Sequence, residues 1–128
     1  MRGKKLATAA PVTGKGSRHL LPESLRSMQE LLELLPNMAV NGQGEIDYAA
    51  THPDTLSAVA EHAASVASAI NLGMSAVGTL MAYAAPECED GTVSSDAIEA
   101  VGWLFAELGA ATAVCIQLTS RCKTINRT

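Results

Sequence analysis

Aromatic and bulky apolar side chains are scarce in this sequence. Of 128 residues only 3% are aromatic, and Leu, Ile, Val and Phe together number 28. Much of the hydrophobic fraction of 48% is instead alanine, with 22 residues. A chain of this length forms one domain at most, and we expect its core to be thin.

Cysteine is rare and follows no recognised pattern. The chain has three cysteines, an odd number, at Cys88, Cys115 and Cys122. Their spacing fits neither a zinc site nor a redox-active Cys-x-x-Cys pair. We therefore predict buried free thiols and a reducing, cytoplasmic location.

Histidines that could serve catalysis or bind a metal are equally few. His19, His52 and His62 are the three in the chain, and none stands in a Glu-x-x-His or His-x-x-x-His relation. The serine nucleophile motif Gly-x-Ser-x-Gly is absent. The sequence thus predicts no catalytic residue, no cofactor-binding residue and no metal ligand, and a protein that is not an enzyme and needs no cofactor.

Basic residues are confined to the two ends of the chain, apart from Arg26. Residues 1–21 contain five Lys or Arg and no acid, and residues 121–128 contain three and no acid. Residues 22–120 hold all 13 acids against Arg26, a balance of −12. A body of that charge repels phosphates, so we do not expect nucleic acid as a partner. An acidic inhibitor that binds a basic protein surface is one alternative function.

Helical periodicity dominates the chain after its first 21 residues. Those residues combine Gly, Pro and scattered cations, and they are predicted to form a disordered basic tail. Residues 22–128 are predicted to form a single helical domain, with helices at about 23–35, 52–85 and 96–125. Residues 36–50 are expected to form a loop with a turn at Asn41 and Gly42.

Prolines and capping residues set the expected helix ends. Pro36 should stop the first helix, and the hydroxyl of Thr51 should cap the second. Pro86 should end the second helix, and Ser95 or Asp96 should cap the third. Within the third helix, heptad spacing places an apolar series on one face, which begins with Val101, Leu104 and Leu108.

The second helix lacks charge over an unusual length. Residues 63–86 contain no Asp, Glu, Lys or Arg, whereas a helix face in water normally carries them. One interpretation is a two-pass membrane protein, because both ends of the chain are basic and the connecting loop is acidic. The stretch has few strongly apolar residues, however, and Glu107 in the third helix would cost about 2.5 kcal/mol or more inside a bilayer. The membrane alternative is therefore disfavoured.

The other interpretation is that protein covers the uncharged helix. One long and one short helix of the same chain cannot cover every side of it, so a second copy is the economical partner, with another protein as the alternative. The sequence thus predicts an all-α fold: a long antiparallel helical hairpin with a short N-terminal helix, which forms a helical bundle by dimerisation. The expected function is that of a non-enzymatic interaction or regulatory protein that acts through self-association. The predicted interface residues are Met74, Gly78, Met81 and Trp103.

Overall fold

The computed structural model describes residues 23–128, and within that range it contains three α-helices and no strand. They are α1 (Glu23–Leu34), α2 (Pro53–Glu89) and α3 (Ser95–Asn126), and a short 3₁₀ turn (Leu35–Asn37) follows α1. The two long helices α2 and α3 pack against each other as a hairpin, and α1 packs on α2. The predicted all-α hairpin with a short N-terminal helix is confirmed. The tail predicted for residues 1–21 lies outside the described residues.

The core lies at one end of the hairpin. The buried residues of α2 all fall in its first 15 positions, and those of α3 fall in its second half. Leu31 and Met38 complete this core from α1 and from the connection to α2. We call this end, residues 53–67 and 112–126, the base. Its buried residues in the two long helices are Leu56, Val59, Ala60, Ala63, Val66, Ala67, Thr112, Cys115, Leu118 and Cys122.

The connection between α1 and α2 folds back on itself beside the base. Asn41 forms the predicted turn: its amide donates to the Glu45 carbonyl (2.8 Å), and its carbonyl accepts from the Gly44 amide (3.0 Å). Gly44 has a φ of 82°, which a residue with a side chain adopts only under strain. Val40 and Ile46 form a single antiparallel bridge across the turn. The connection therefore has a defined path rather than that of a loose linker.

The caps of α2 and α3 differ from those predicted. His52, not Thr51, caps α2, and its Nδ1 accepts from the amide of Asp54 at 3.2 Å. The Thr51 hydroxyl is used inside the connection, where it donates to the Asp47 carbonyl at 2.8 Å and accepts from the Ala39 amide at 3.0 Å. Ser94 caps α3, so the prediction of Ser95 or Asp96 is wrong by one or two positions.

The prediction that α2 ends before Pro86 is also wrong. Pro86 lies inside the helix, which continues to Glu89. Pro86 has no amide hydrogen and so removes one hydrogen bond of the helix, but the helix still continues for three more residues. The helix ends instead in a Schellman motif at Gly91 (φ 81°), in which the Thr92 amide donates to the Glu87 carbonyl at 3.1 Å. The stop signal is thus the glycine, five residues beyond the proline.

Candidate interaction surface

The half of the hairpin away from the base has no buried residue. We call this half the arm; it comprises residues 68–89 of α2 and 95–111 of α3. Large apolar side chains on it lie open to solvent, among them Leu72 (71% exposed), Leu80 (67%) and Tyr83 (82%). Exposed single apolar residues are ordinary on a protein surface, but a contiguous set on one element is typical of an interaction site.

An apolar groove of about 460 Å³ runs between α2 and α3 where the base passes into the arm. Met28, near the middle of α1, also lines this groove. Among the described residues, no charged or polar side chain lines it. Its lining residues are Met28, Val66, Ala69, Ile70, Gly73, Met74, Val77, Val101, Leu104, Phe105 and Leu108.

The opposite side of the α2 arm is polar without being charged. Ser68, Asn71, Ser75 and Thr79 are all exposed there, and none of them lines the groove. The Thr79 hydroxyl donates to the Ser75 carbonyl at 3.1 Å, so its hydrogen bond is formed within the helix. The side of the α2 arm towards the groove is therefore apolar, whereas the side away from it combines these hydroxyl and amide groups with exposed apolar side chains such as Leu72.

Charge on the arm and its tip is of one sign. We call residues 86–96, where α2 turns into α3, the tip. The tip and the arm together carry six acids and no Lys or Arg: Glu87, Glu89, Asp90, Asp96, Glu99 and Glu107. At the tip, the side chain and the amide of Thr92 both donate to Asp90, which lowers the pKa of that carboxyl. These hydrogen bonds favour the ionised form of the Asp90 side chain.

The structure places the four predicted interface residues differently. Met74 lines the groove, whereas Gly78, Met81 and Trp103 do not. Trp103 is 66% exposed, and its indole Nε1 donates to Glu99 at 3.3 Å. The apolar series predicted on α3 includes three residues of the opposite wall, because Val101, Leu104 and Leu108 all line the groove. It missed Phe105, which is half-buried there and has helical spacing with Val101 and Leu108.

One histidine joins α1 to α2 at the base. His62 Nε2 lies 3.0 Å from Glu30 Oε2, and His62 Nδ1 lies 3.4 Å from the Ser27 hydroxyl. A neutral imidazole satisfies both contacts, with Nε2–H donating to Glu30 and Nδ1 accepting from Ser27. Ser27 is only 6% exposed and lies past the first turn of α1, where backbone amides are already bonded within the helix. Through these contacts His62 links α2 to α1.

The buried thiols and the metal-binding side chains are the other groups that could carry chemistry. Burial raises the pKa of Cys115 and that of Cys122, so both thiols stay protonated. Among residues 23–128, no cluster of three or more His, Cys, Asp or Glu side chains has the arrangement of a metal site.

Both long helices have the length and apolar composition of a membrane-spanning helix. In the most apolar 18-residue stretch, 11% of α2 and 17% of α3 is buried. Core helices of soluble proteins can have the same length and composition, but they are mostly buried, whereas these two stretches are not.

Comparison with family models, curated proteins and solved structures finds no match to this chain.

Proposed function

We propose that this protein is a non-enzymatic interaction protein that acts through self-association of its arm. The observation that carries the proposal is the groove, an apolar surface on a stretch of hairpin with no buried residue. A hairpin whose arm stays in water loses about 25 cal/mol for each Å² of apolar surface left uncovered. A second copy supplies the same apolar surface and closes the contact by a two-fold axis.

The polar face of the arm supports a protein partner over a lipid one. Ser68, Asn71 and Ser75 would all face hydrocarbon in a membrane hairpin, where unpaired polar groups are costly. Glu107, exposed on α3, would add a charge to the same layer. A protein partner needs to cover only the groove side and leaves the polar face in water. The length and apolar composition of α2 and α3 favour a two-pass membrane protein as the second candidate.

The free thiols support a cytoplasmic location for this protein. Cys115 and Cys122 are buried and free, and Cys88 is half-buried and free. Persistent free thiols are typical of a reducing compartment.

The decisive experiment is the mass of the full chain in solution, measured by light scattering during size exclusion at micromolar concentration. We expect a mass of two chains. Val77→Glu and Leu104→Glu place a charge in the groove and should reduce the mass to one chain, because a charge buried without a partner costs several kcal/mol. Both side chains are exposed in the single chain, so these variants should still fold.

Ser75→Glu is the matched control, since it adds the same charge to the same helix on the polar face. It should leave the mass at two chains. A wild-type mass of one chain, or loss of the dimer by Ser75→Glu as well, would contradict self-association through the groove. Recovery of the protein only in detergent, with nothing in the soluble fraction, would favour the membrane candidate.

A further inference from the structure

The surface that carries the groove is already occupied at the base. α1 packs there on α2, and the connection adds Met38 and Tyr48 against the core beside α3. Because Met28 lines the groove, α1 and the groove lie next to each other on the same surface of the hairpin. Among residues 23–128, neither α1 nor the connection covers the arm half of that surface.

This placement restricts how two copies can meet. If two hairpins lay parallel, α1 and the connection of one copy would oppose those of the other. Each of these layers adds about one helix diameter, roughly 10 Å, and would hold the two arms apart. If the hairpins lie antiparallel, arm lies on arm, and each α1 stands beyond the tip of the other copy.

We propose that two copies pair antiparallel by a two-fold axis across the middle of the arms, so that α1 of each copy abuts the tip of its partner. This arrangement depends on the self-association proposed above. It makes a central bundle of four helices from two α2 and two α3 arms. The two α1 helices extend that bundle at opposite ends.

The area available is sufficient for a specific dimer. The α3 arm has 17 residues, which at ~1.5 Å per residue gives a length of ~25 Å. A surface two helix diameters wide and of that length covers roughly 500 Å² on each copy. The total of about 1,000 Å² reaches the lower bound for a specific interface.

Charge also favours the antiparallel arrangement. Parallel pairing would bring the two acidic tips together, each with Glu87, Glu89, Asp90 and Asp96. Antiparallel pairing separates the tips and brings each one to the N-terminal end of the partner's α1. That end carries the positive pole of the helix dipole, and the 21 residues of sequence before Pro22 contain five bases and no acid.

Cys88 lies in the last turn of α2, and a label attached to it can distinguish the antiparallel from the parallel dimer without any substitution. Cys115 and Cys122 are buried, so a nitroxide reagent at neutral pH should label Cys88 alone, which mass spectrometry verifies. In the antiparallel dimer, Cys88 lies about 10 residues from the two-fold axis along α2, which separates the two labels by ~30 Å. In a parallel dimer the labels lie side by side, within about 20 Å.

The experiment is a label–label distance by pulsed electron paramagnetic resonance, together with the mass of the labelled full chain. A mass of two chains with a distance beyond about 25 Å supports the antiparallel dimer. A mass of two chains with a shorter distance overturns it and leaves self-association in place. A mass of one chain overturns self-association, and the antiparallel dimer with it. Val77→Glu with the same label is the control, and the distance should disappear.

Discussion

At the scale of single residues, burial separates the three thiols. Cys115 and Cys122 lie in the core with pKa values raised by burial, whereas Cys88 is half-buried near the tip. The thiolate is the reactive species, so both access and protonation protect the first two. In the native protein at neutral pH, we expect a thiol reagent to modify Cys88 first, and Cys115 and Cys122 only on unfolding. Peptide mapping after a short pulse checks this, and equal modification of all three would contradict the burial.

The same two thiols should make stability depend on pH in the alkaline range. Above the ordinary thiol pKa of about 8.5, the unfolded chain releases protons that the folded chain retains, because burial raises the folded pKa. The free energy of unfolding should therefore fall as pH rises from about 8.5 towards 9.5, and be unaffected by these groups below that range. Urea unfolding at pH 7.5 and pH 9.5 measures this decrease in the free energy of unfolding. The upper pH of 9.5 is below the ordinary tyrosine pKa of about 10. The double variant Cys115→Ala/Cys122→Ala should lose this fall; an unchanged fall would assign it to other groups.

Two glycines, Gly78 in the arm and Gly91 at the tip, offer a pair of substitutions with opposite expected effects on the free energy of unfolding. Gly91 has a φ of 81° in the Schellman motif, so Gly91→Ala should destabilise the fold by about 1–2 kcal/mol. Gly78 lies within α2 with open space where a Cβ would stand, so Gly78→Ala should stabilise the helix by up to about 1 kcal/mol. Urea unfolding of both variants, at the same protein concentration, measures the two changes in the free energy of unfolding. A gain at Gly91 or a loss at Gly78 would show that the motif or the open space is wrongly placed.

At the scale of elements, α1 is held by few side chains. Leu31 is buried in the core, while its neighbour Leu32 points to solvent and is 60% exposed. Leu31→Ala should cost about 2–4 kcal/mol of unfolding free energy because it leaves a cavity. Leu32→Ala, the control, should change it by less than about 0.5 kcal/mol. Similar losses for the two variants would mean that α1 does not dock through Leu31.

The sequence could predict that these elements exist but not how they end. Apolar spacing was sufficient to locate all three helices within a few residues. It could not show that α2 runs past Pro86, because the end is decided by the Schellman hydrogen bonds at Gly91. It also placed Leu104 on the apolar face of α3 without Phe105, whereas both residues line the groove and Phe105 is the more buried of the two. A periodicity of one helix fixes a face to within about one position, and the neighbouring helix decides between the candidates.

At the scale of the whole molecule, stability should be divided between the base and the arm. The base contains every buried residue of the two long helices, and the arm contains none. Segments with few buried contacts open locally at low free energy. Hydrogen exchange followed by mass spectrometry should therefore show faster exchange in the arm than in the base at low protein concentration. Protection of the arm should rise with concentration as copies associate, and uniform protection at every concentration would contradict this division.

The groove itself could not be predicted from the sequence. The uncharged run of residues 63–86 shows that α2 has a surface to cover. The run does not show which part α1 covers, and that depends on long-range contacts such as His62 with Glu30 and Ser27. Of the four predicted interface residues, only Met74 lines the groove, whereas Gly78, Met81 and Trp103 do not.

The position of α1 has a further consequence for the size of any assembly. Without α1, two hairpins could pair at many different positions along their length. A hairpin that paired off-centre would leave part of its apolar surface uncovered, and a further copy could bind there. Such staggered addition produces filaments of no fixed length. Met28 of α1 lines the groove on that surface. In the proposed dimer α1 would act as an end stop, because a second hairpin could advance only until its tip met the helix. A helix of 12 residues would thus set both the register of the pair and its upper limit of two copies.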